Sequence, residues 1–223
     1  MIEEGTVTER SIVMEGGDRR PFGKILAVGR NYSDHVAEMR APSEPVLFMK
    51  PPTAVRLPGE PVELPRDRGI VHHEIELVVW LRAGGSHLTE TEAGLLVGAY
   101  GLGLDLTLRE VQARAKEKGQ PWTLAKGFDG SFPLSPFLPE ARVGDPAGLR
   151  FHLDVNGDRR QEGRAADMLL PVASLLAYIS TWITLEAGDL ISTGTPAGVG
   201  PIEPGDIAVM TLEEHLEQRV VFC

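Results

Sequence analysis

Three acidic side chains sit where charge is out of place: Glu74 and Glu76 in HHEIELVVWL, and Asp105 as the only charged residue of GLGLDLTL. If the first run is a strand, period-two alternation sends residues 74, 76, 78 and 80 to one face, so both carboxylates share a side with Val78 and Trp80. Their Cβ atoms would lie roughly 7 Å apart, from a rise of about 3.3 Å per residue. Two like charges at that spacing raise each other's cost of ionisation, and a hard divalent cation with oxygen ligands removes the conflict. Asp105 offers a third oxygen donor. The plainer alternative is a solvated strand face with an accidental E-x-E pair, and Asp105 in a loop before a helix. Spacing alone does not choose between them.

His72 and His73 invite a zinc reading, but HHEIE lacks the histidine pair of the H-E-x-x-H helix and no thiolate is near. One of them either supports a ligand from behind or is a structural histidine at a strand start. Lys126, in WTLAKGFDG, is a cation in an apolar stretch; it is a fixed charge for a developing oxyanion or a lysine snorkelling from a strand end. Arg109 and Gln112 are three apart on a helix that starts beside Asp105, so both can turn to one pocket, although a solvated pair would look the same. TGTPAGVGP has neither G-K-[ST] nor the G-x-G-x-x-G spacing, so nucleotide binding has no support there.

The elements that would position these residues follow from turn and cap signals. KILAVG and VLFMKPP read as strands, the second stopped by Pro51 and Pro52, and residues 72–81 as one longer strand. Asn31 has the chemistry to cap a short helix, with Asp34 in its first turn. Thr89 with Glu92 has capping-box spacing and opens a helix into LLVGAY; Thr107 with Glu110 repeats it, starting a helix that runs through VQARAKEK to Gly119. Asn156-Gly157 marks a hairpin, and LPVASLLAYISTWI a further helix with Pro171 in its first turn, followed by strands DLISTG and IAVMTL. Residues 1–21 form an N-terminal extension with Gly16-Gly17 as a hairpin turn, before a main domain over residues 22–223. Strands outnumber helices without strict βαβ alternation, which predicts an α+β fold with a β-rich centre.

Bulk properties narrow the class. A chain of 223 residues, 42% of them hydrophobic, can bury a core as one domain, and its single cysteine, Cys223, forms no internal disulfide. The acidic start MIEEGTVTER lacks a signal peptide's charge and apolar run, and no stretch suffices to span a bilayer, so a cytoplasmic, unanchored protein is expected. A net charge of -10 without a Lys/Arg run argues against nucleic acid and membrane surfaces. An acidic substrate must therefore meet a local positive centre.

Taken together, RNYSDHVAEM, LFMKP, HHEIELVV, GLGLDLTLREVQ, GQPWTLAKGFDGSFP, VNGDRRQ and LISTGTPAGVGP, in this order over residues 22–222, resemble the fumarylacetoacetate hydrolase family, nearest its short bacterial acylpyruvase and oxaloacetate decarboxylase branch. The resemblance implies that family's mixed β-sandwich or roll with peripheral helices, and Glu74, Glu76 and Asp105 as ligands of Mg2+ or Mn2+, with Ca2+ as a further candidate. It implies a lid carrying a His35–Glu38 dyad, three residues apart on one helix face, where the glutamate raises the basicity of the histidine. It further implies Lys126 facing the substrate, with Arg109, Gln112, Thr195, Tyr32 and Lys50 as substrate contacts. The expected activity is C–C hydrolysis of acylpyruvates or decarboxylation of oxaloacetate through a pyruvate enolate, by a homodimer acting on a small 2-oxo acid. The alternatives are a 2-hydroxyhepta-2,4-diene-1,7-dioate isomerase or 5-oxopent-3-ene-1,2,5-tricarboxylate decarboxylase with the same metal, and a catalytically silent binding module of the same fold.

Overall fold

Apolar runs on both sides of Glu76 place its strand between two cores, and the rest of the fold is built around that strand. The structure is a computed structural model that describes residues 10–32 and 45–223. His35 and Glu38 lie outside the described residues. A six-stranded mixed sheet has the order Leu138–Pro139, Val97–Leu104, Ile75–Leu81, Leu190–Ser192, Ile25–Gly29, Val46–Lys50. Leu190–Ser192 runs parallel to Ile25–Gly29 and antiparallel to Ile75–Leu81.

One face of this sheet packs on a four-stranded antiparallel sheet of Asp158–Arg164, Arg150–Val155, Ile207–Leu212 and Leu216–Val221, burying Leu77, Val79 and Leu102 with Phe151, Leu153 and Met210. The other face buries Val78, Ala99 and Ile25 with Phe132, Phe137 and Ile12. Burial on both faces explains why IELVVWL is almost continuously apolar rather than alternating. The third sheet, Gly200–Ile202, Val71–His73 and Thr107–Leu108, meets the first at a corner. The helices are short and peripheral, Val172–Ser180 packing on Glu90–Gly94. This is the expected α+β, β-rich class.

The hairpin at Asn156-Gly157 forms with both residues at positive φ, 54° and 88°. Ser11–Val13 and Arg19–Pro21 pair around Gly16-Gly17. Three expectations need correction. Residues 72–81 are not one strand: the chain breaks at Glu74 between Val71–His73 and Ile75–Leu81, which belong to different sheets. The Thr89–Glu92 capping box is present, but its helix ends at Gly94 and Val97–Leu104 is a strand, since β-sheet pairing with Ile75–Leu81 outweighs helix propensity there. Arg109–Glu117 is a helix without a side-chain cap, because the Thr107 hydroxyl donates to Asp105 O (3.0 Å) and Thr107 pairs with His72. Asn31 is buried, donating to Thr193 O (2.8 Å) and Leu170 O (3.1 Å) and accepting from Leu170 N (2.8 Å); the short helix it was expected to cap lies outside the described residues. No helix among the described residues is long and apolar enough to cross a membrane.

Candidate active site

Two neighbouring strands change sheets at the same level, and this corner creates the site. Ile75 pairs with Leu104 in the six-stranded sheet, whereas His72 pairs with Thr107 in the three-stranded one. Glu74 and Asp105 therefore face each other at the turn, tied by Asp105 N donating to Glu74 O (2.8 Å). Glu76 enters from two residues further along. One carboxylate oxygen of each of Glu74, Glu76 and Asp105 lies within 4.8 Å of the others, and all three residues are buried.

Cations close over the acids. Lys126, at the end of the short helix Thr123–Lys126, donates to Glu74 Oε2 (2.7 Å) and to Asp105 Oδ2. Arg109 Nη2 donates to Glu74 Oε1 (2.6 Å), and its Nη1 to Gln112 Oε1 (2.8 Å), so the helical spacing of three links the pair as expected. Lys50 lies beneath, its ammonium bonded to the backbone oxygens of Lys126 and of Ser131 (3.0 Å) and 2.8 Å from Asp105 Oδ1. That approach is out of line for a hydrogen bond and leaves Asp105 Oδ1 without one. Glu76 Oε2 accepts from Ser192 Oγ (2.5 Å) and Gly194 N (2.8 Å). Gly194 stands at φ +98°, and a Cβ there would meet the Asn31 side chain at 2.9 Å, so the turn that reaches Glu76 needs glycine.

Burial would raise the Glu74 carboxyl, but Lys126 and Arg109 outweigh it and hold its pKa down at about 2. Glu76 forms no ion pair among the described residues: burial, reinforced by Asp105, outweighs Ser192 and the more distant Lys126 and pushes it up to about 8. Burial lowers Lys126, yet Asp105 and Glu74 more than offset this and keep it above the ordinary lysine value. Burial depresses Lys50, and Asp105 restores only part. Three buried carboxylates, one of them held mostly protonated at neutral pH and another with an oxygen lacking a hydrogen bond, fit a hard divalent cation such as magnesium, manganese or calcium.

Of the sequence-predicted residues, Glu74, Glu76, Asp105, Lys126, Arg109 and Gln112 come together. Tyr32 is buried, its hydroxyl unbonded among the described residues, and burial followed by Glu76 raises its pKa. Lys50, expected as a substrate contact, is fully buried, with its ammonium engaged by Ser131 and Asp105. Thr195 is likewise engaged, donating to Ile75 O (2.8 Å) and accepting from Gln161 Nε2 (2.8 Å), so its only hydroxyl proton is already used. Sequence reasoning missed Ser192, Gly194 and Ser131, although all three lie inside motifs it had marked, and it gave no role to Gln161.

Comparison with known proteins agrees with this geometry. Residues 24–221 match the family model described as fumarylacetoacetate (FAA) hydrolase C-terminal, and the chain belongs to this family of enzymes. It is 47% identical over 205 residues, 90% of this chain and 94% of the relative, to oxaloacetate tautomerase YcgM of Escherichia coli (strain K12). It is 50% identical over 188 residues, 83% of this chain and 85% of the relative, to the mitochondrial oxaloacetate tautomerase FAHD1 of Mus musculus. Among solved structures, the fumarylpyruvate hydrolase of Pseudomonas aeruginosa in complex with Mn2+ and pyruvate superposes with a TM-score of 0.92 at 35% identity, covering 98% of this chain and 97% of that one.

Proposed function

We propose that this chain is a divalent-metal-dependent enzyme that stabilises the enolate of a small 2-oxo acid, with oxaloacetate as substrate and keto–enol interconversion as the reaction. The observation that carries the reading is the convergence of three buried carboxylates with Lys126 and Arg109 at one corner. The oxaloacetate tautomerases among the relatives support the choice of substrate. Glu74, Glu76 and Asp105 would hold magnesium or manganese, which when bound supplies Lewis acidity that polarises a carbonyl and offsets the negative field of the protein.

The chain's own groups do the rest. Lys126 places a fixed positive charge where an enolate oxygen develops, and needs no reorganisation because the acids already orient it. Arg109, partly exposed and anchored at one edge on Glu74 and Gln112, turns its remaining N–H groups to a substrate carboxylate. Lys50 and Ser131 hold Asp105 and Lys126 from below. The proton leaving C3 needs a base, which we assign to His35 with Glu38 as its partner. The reading also takes the chain as a homodimer, on the family resemblance alone, and as cytoplasmic, since its single cysteine fits a reducing compartment.

A second reading, C–C hydrolysis of an acylpyruvate, is favoured by the close superposition on the fumarylpyruvate hydrolase; its leaving group, pyruvate enolate, is likewise the enolate of a 2-oxo acid. One assay separates the two: enol loss from oxaloacetate and cleavage of acetylpyruvate, followed by ultraviolet absorbance with EDTA and after adding back Mn2+. Chelator-sensitive turnover of oxaloacetate alone supports tautomerisation; cleavage of acetylpyruvate, abolished in His35→Ala with Mn2+ binding intact, supports the hydrolase. Turnover of both that ignores EDTA would sink the metal, and turnover of a diene-dioate alone would move the chain to the isomerase branch.

A further inference from the structure

Gln161 lies in DRRQEGR, a polar strand in which the neighbouring side chains are exposed, yet it is buried. All four hydrogen-bonding positions of its carboxamide are used. Oε1 accepts from Ile75 N (3.0 Å) and lies 2.9 Å from His73 Nδ1, while Nε2 donates to Thr195 Oγ1 (2.8 Å) and Pro196 O (3.0 Å). Ile75 N–H only donates and Pro196 O only accepts, so the amide has one orientation, and His73 must carry its proton on Nδ1.

The four partners fall into two groups that matter. His73 and Ile75 flank Glu74 on either side of the strand break, and Ile75 is gripped twice, since Thr195 Oγ1 donates to its carbonyl. Thr195 and Pro196 directly follow Gly194, whose N–H holds Glu76. The strand supplies the aim: the register of the 150–164 hairpin slips beside Gln161, which pairs with Leu153 while Arg159 pairs with Asp154. Arg160 is the extra residue of this bulge, and from Gln161 onward the strand alternates regularly, Gln161 and Gly163 facing inward with buried Leu153 while Glu162 faces out.

We propose that Gln161 is a positioning residue, clamping the corner that presents Glu74 to the turn that secures Glu76, so that the spacing of the carboxylates is set from the four-stranded sheet. The inference rests on the metal reading above. It makes Gln161 a determinant of cation affinity that touches neither cation nor substrate.

The test is a calorimetric Mn2+ titration of the full chain, well below its melting temperature. Gln161→Met keeps the volume and deletes all four bonds; Gln161→Glu keeps the acceptor and sets a carboxylate oxygen against Pro196 O. If the methionine variant does not fold, the glutamate variant carries the test. Both should weaken Mn2+ binding about 10- to 100-fold, the usual cost of losing a group behind the ligands. Leu153→Ala, a buried change on the paired strand, should lower the melting temperature while leaving Mn2+ affinity as in the wild type. Wild-type affinity in the Gln161 variants, or an equal loss in Leu153→Ala, would overturn the clamp and leave the metal site standing. A wild-type chain that binds no Mn2+ would overturn both.

Discussion

Glu76 is the residue at which the electrostatics of the corner become measurable. With its pKa pushed up to about 8 by burial and Asp105, it carries a proton at neutral pH in the metal-free chain, and a cation must displace that proton to bind. Mn2+ titrations near neutral pH, in two buffers of different ionisation enthalpy, should give heats that diverge by about one released proton, and should converge above about pH 8. Identical heats in both buffers at neutral pH would remove Glu76 from the ligand set. The same shift bears on folding. Because the folded pKa lies above the unfolded 4.5, Glu76 contributes fully below 4.5 and loses that contribution as pH rises through about 8; Glu74 behaves oppositely, contributing above 4.5 and losing it as pH falls toward 2. Chelated protein should therefore lose stability between about pH 5 and 8, by chemical denaturation, and Glu76→Gln should not. Arg109 was carried by the family resemblance, in a polar helix where a solvated arginine would look the same, but the acids and Lys126 were legible because charge inside an apolar run is anomalous. Gln161 was not, because an amide among arginines and glutamates looks solvated, and its inward turn comes from pairing with the buried Leu153 of the neighbouring strand. The burial of Lys50 was not legible either: its partner Ser131 is 81 residues away, and sequence gives no direction to a buried ammonium.

At the level of elements, sequence signals located segments better than they located ends. The Thr89–Glu92 box is formed as read, with Glu92 N donating to Thr89 Oγ1 (3.3 Å) and Thr89 N to Glu92 Oε2 (2.9 Å). Thr89→Ala should cost about 1 kcal/mol, lowering the melting temperature by about 2–4 °C in a chain of this size, with kcat and KM unchanged. A loss of activity beyond the loss of folded protein would mean that the Glu90–Gly94 helix reaches the site. The second box failed because Thr107 is claimed by strand pairing and by the carbonyl of Asp105, a tertiary demand with no local signature. The break at Glu74 was hidden for a related reason. HHEIELVVWL keeps strand chemistry on both sides of the corner, and what bends it is the parallel change of sheet in Val97–Leu104 and Thr107–Leu108.

At the scale of the molecule, the corner joins sheets through like charges, and this gives metal binding a global readout. A ligand that binds only the folded state at a hundredfold excess over its Kd stabilises by about 2.7 kcal/mol, or about 5 to 11 °C in a chain of this length. Melting temperature should therefore rise with the logarithm of Mn2+ concentration and fall back with EDTA, and Glu76→Gln should melt at one temperature whatever the Mn2+ concentration. Nonspecific neutralisation of a surface at net charge -10 predicts something else: Na+ at matched ionic strength would reproduce the rise, and the variant would follow the wild type. If the wild type melts identically in Mn2+ and EDTA, Lys126, Arg109 and Lys50 balance the three acids, and the corner is a buried ion network in place of a metal centre.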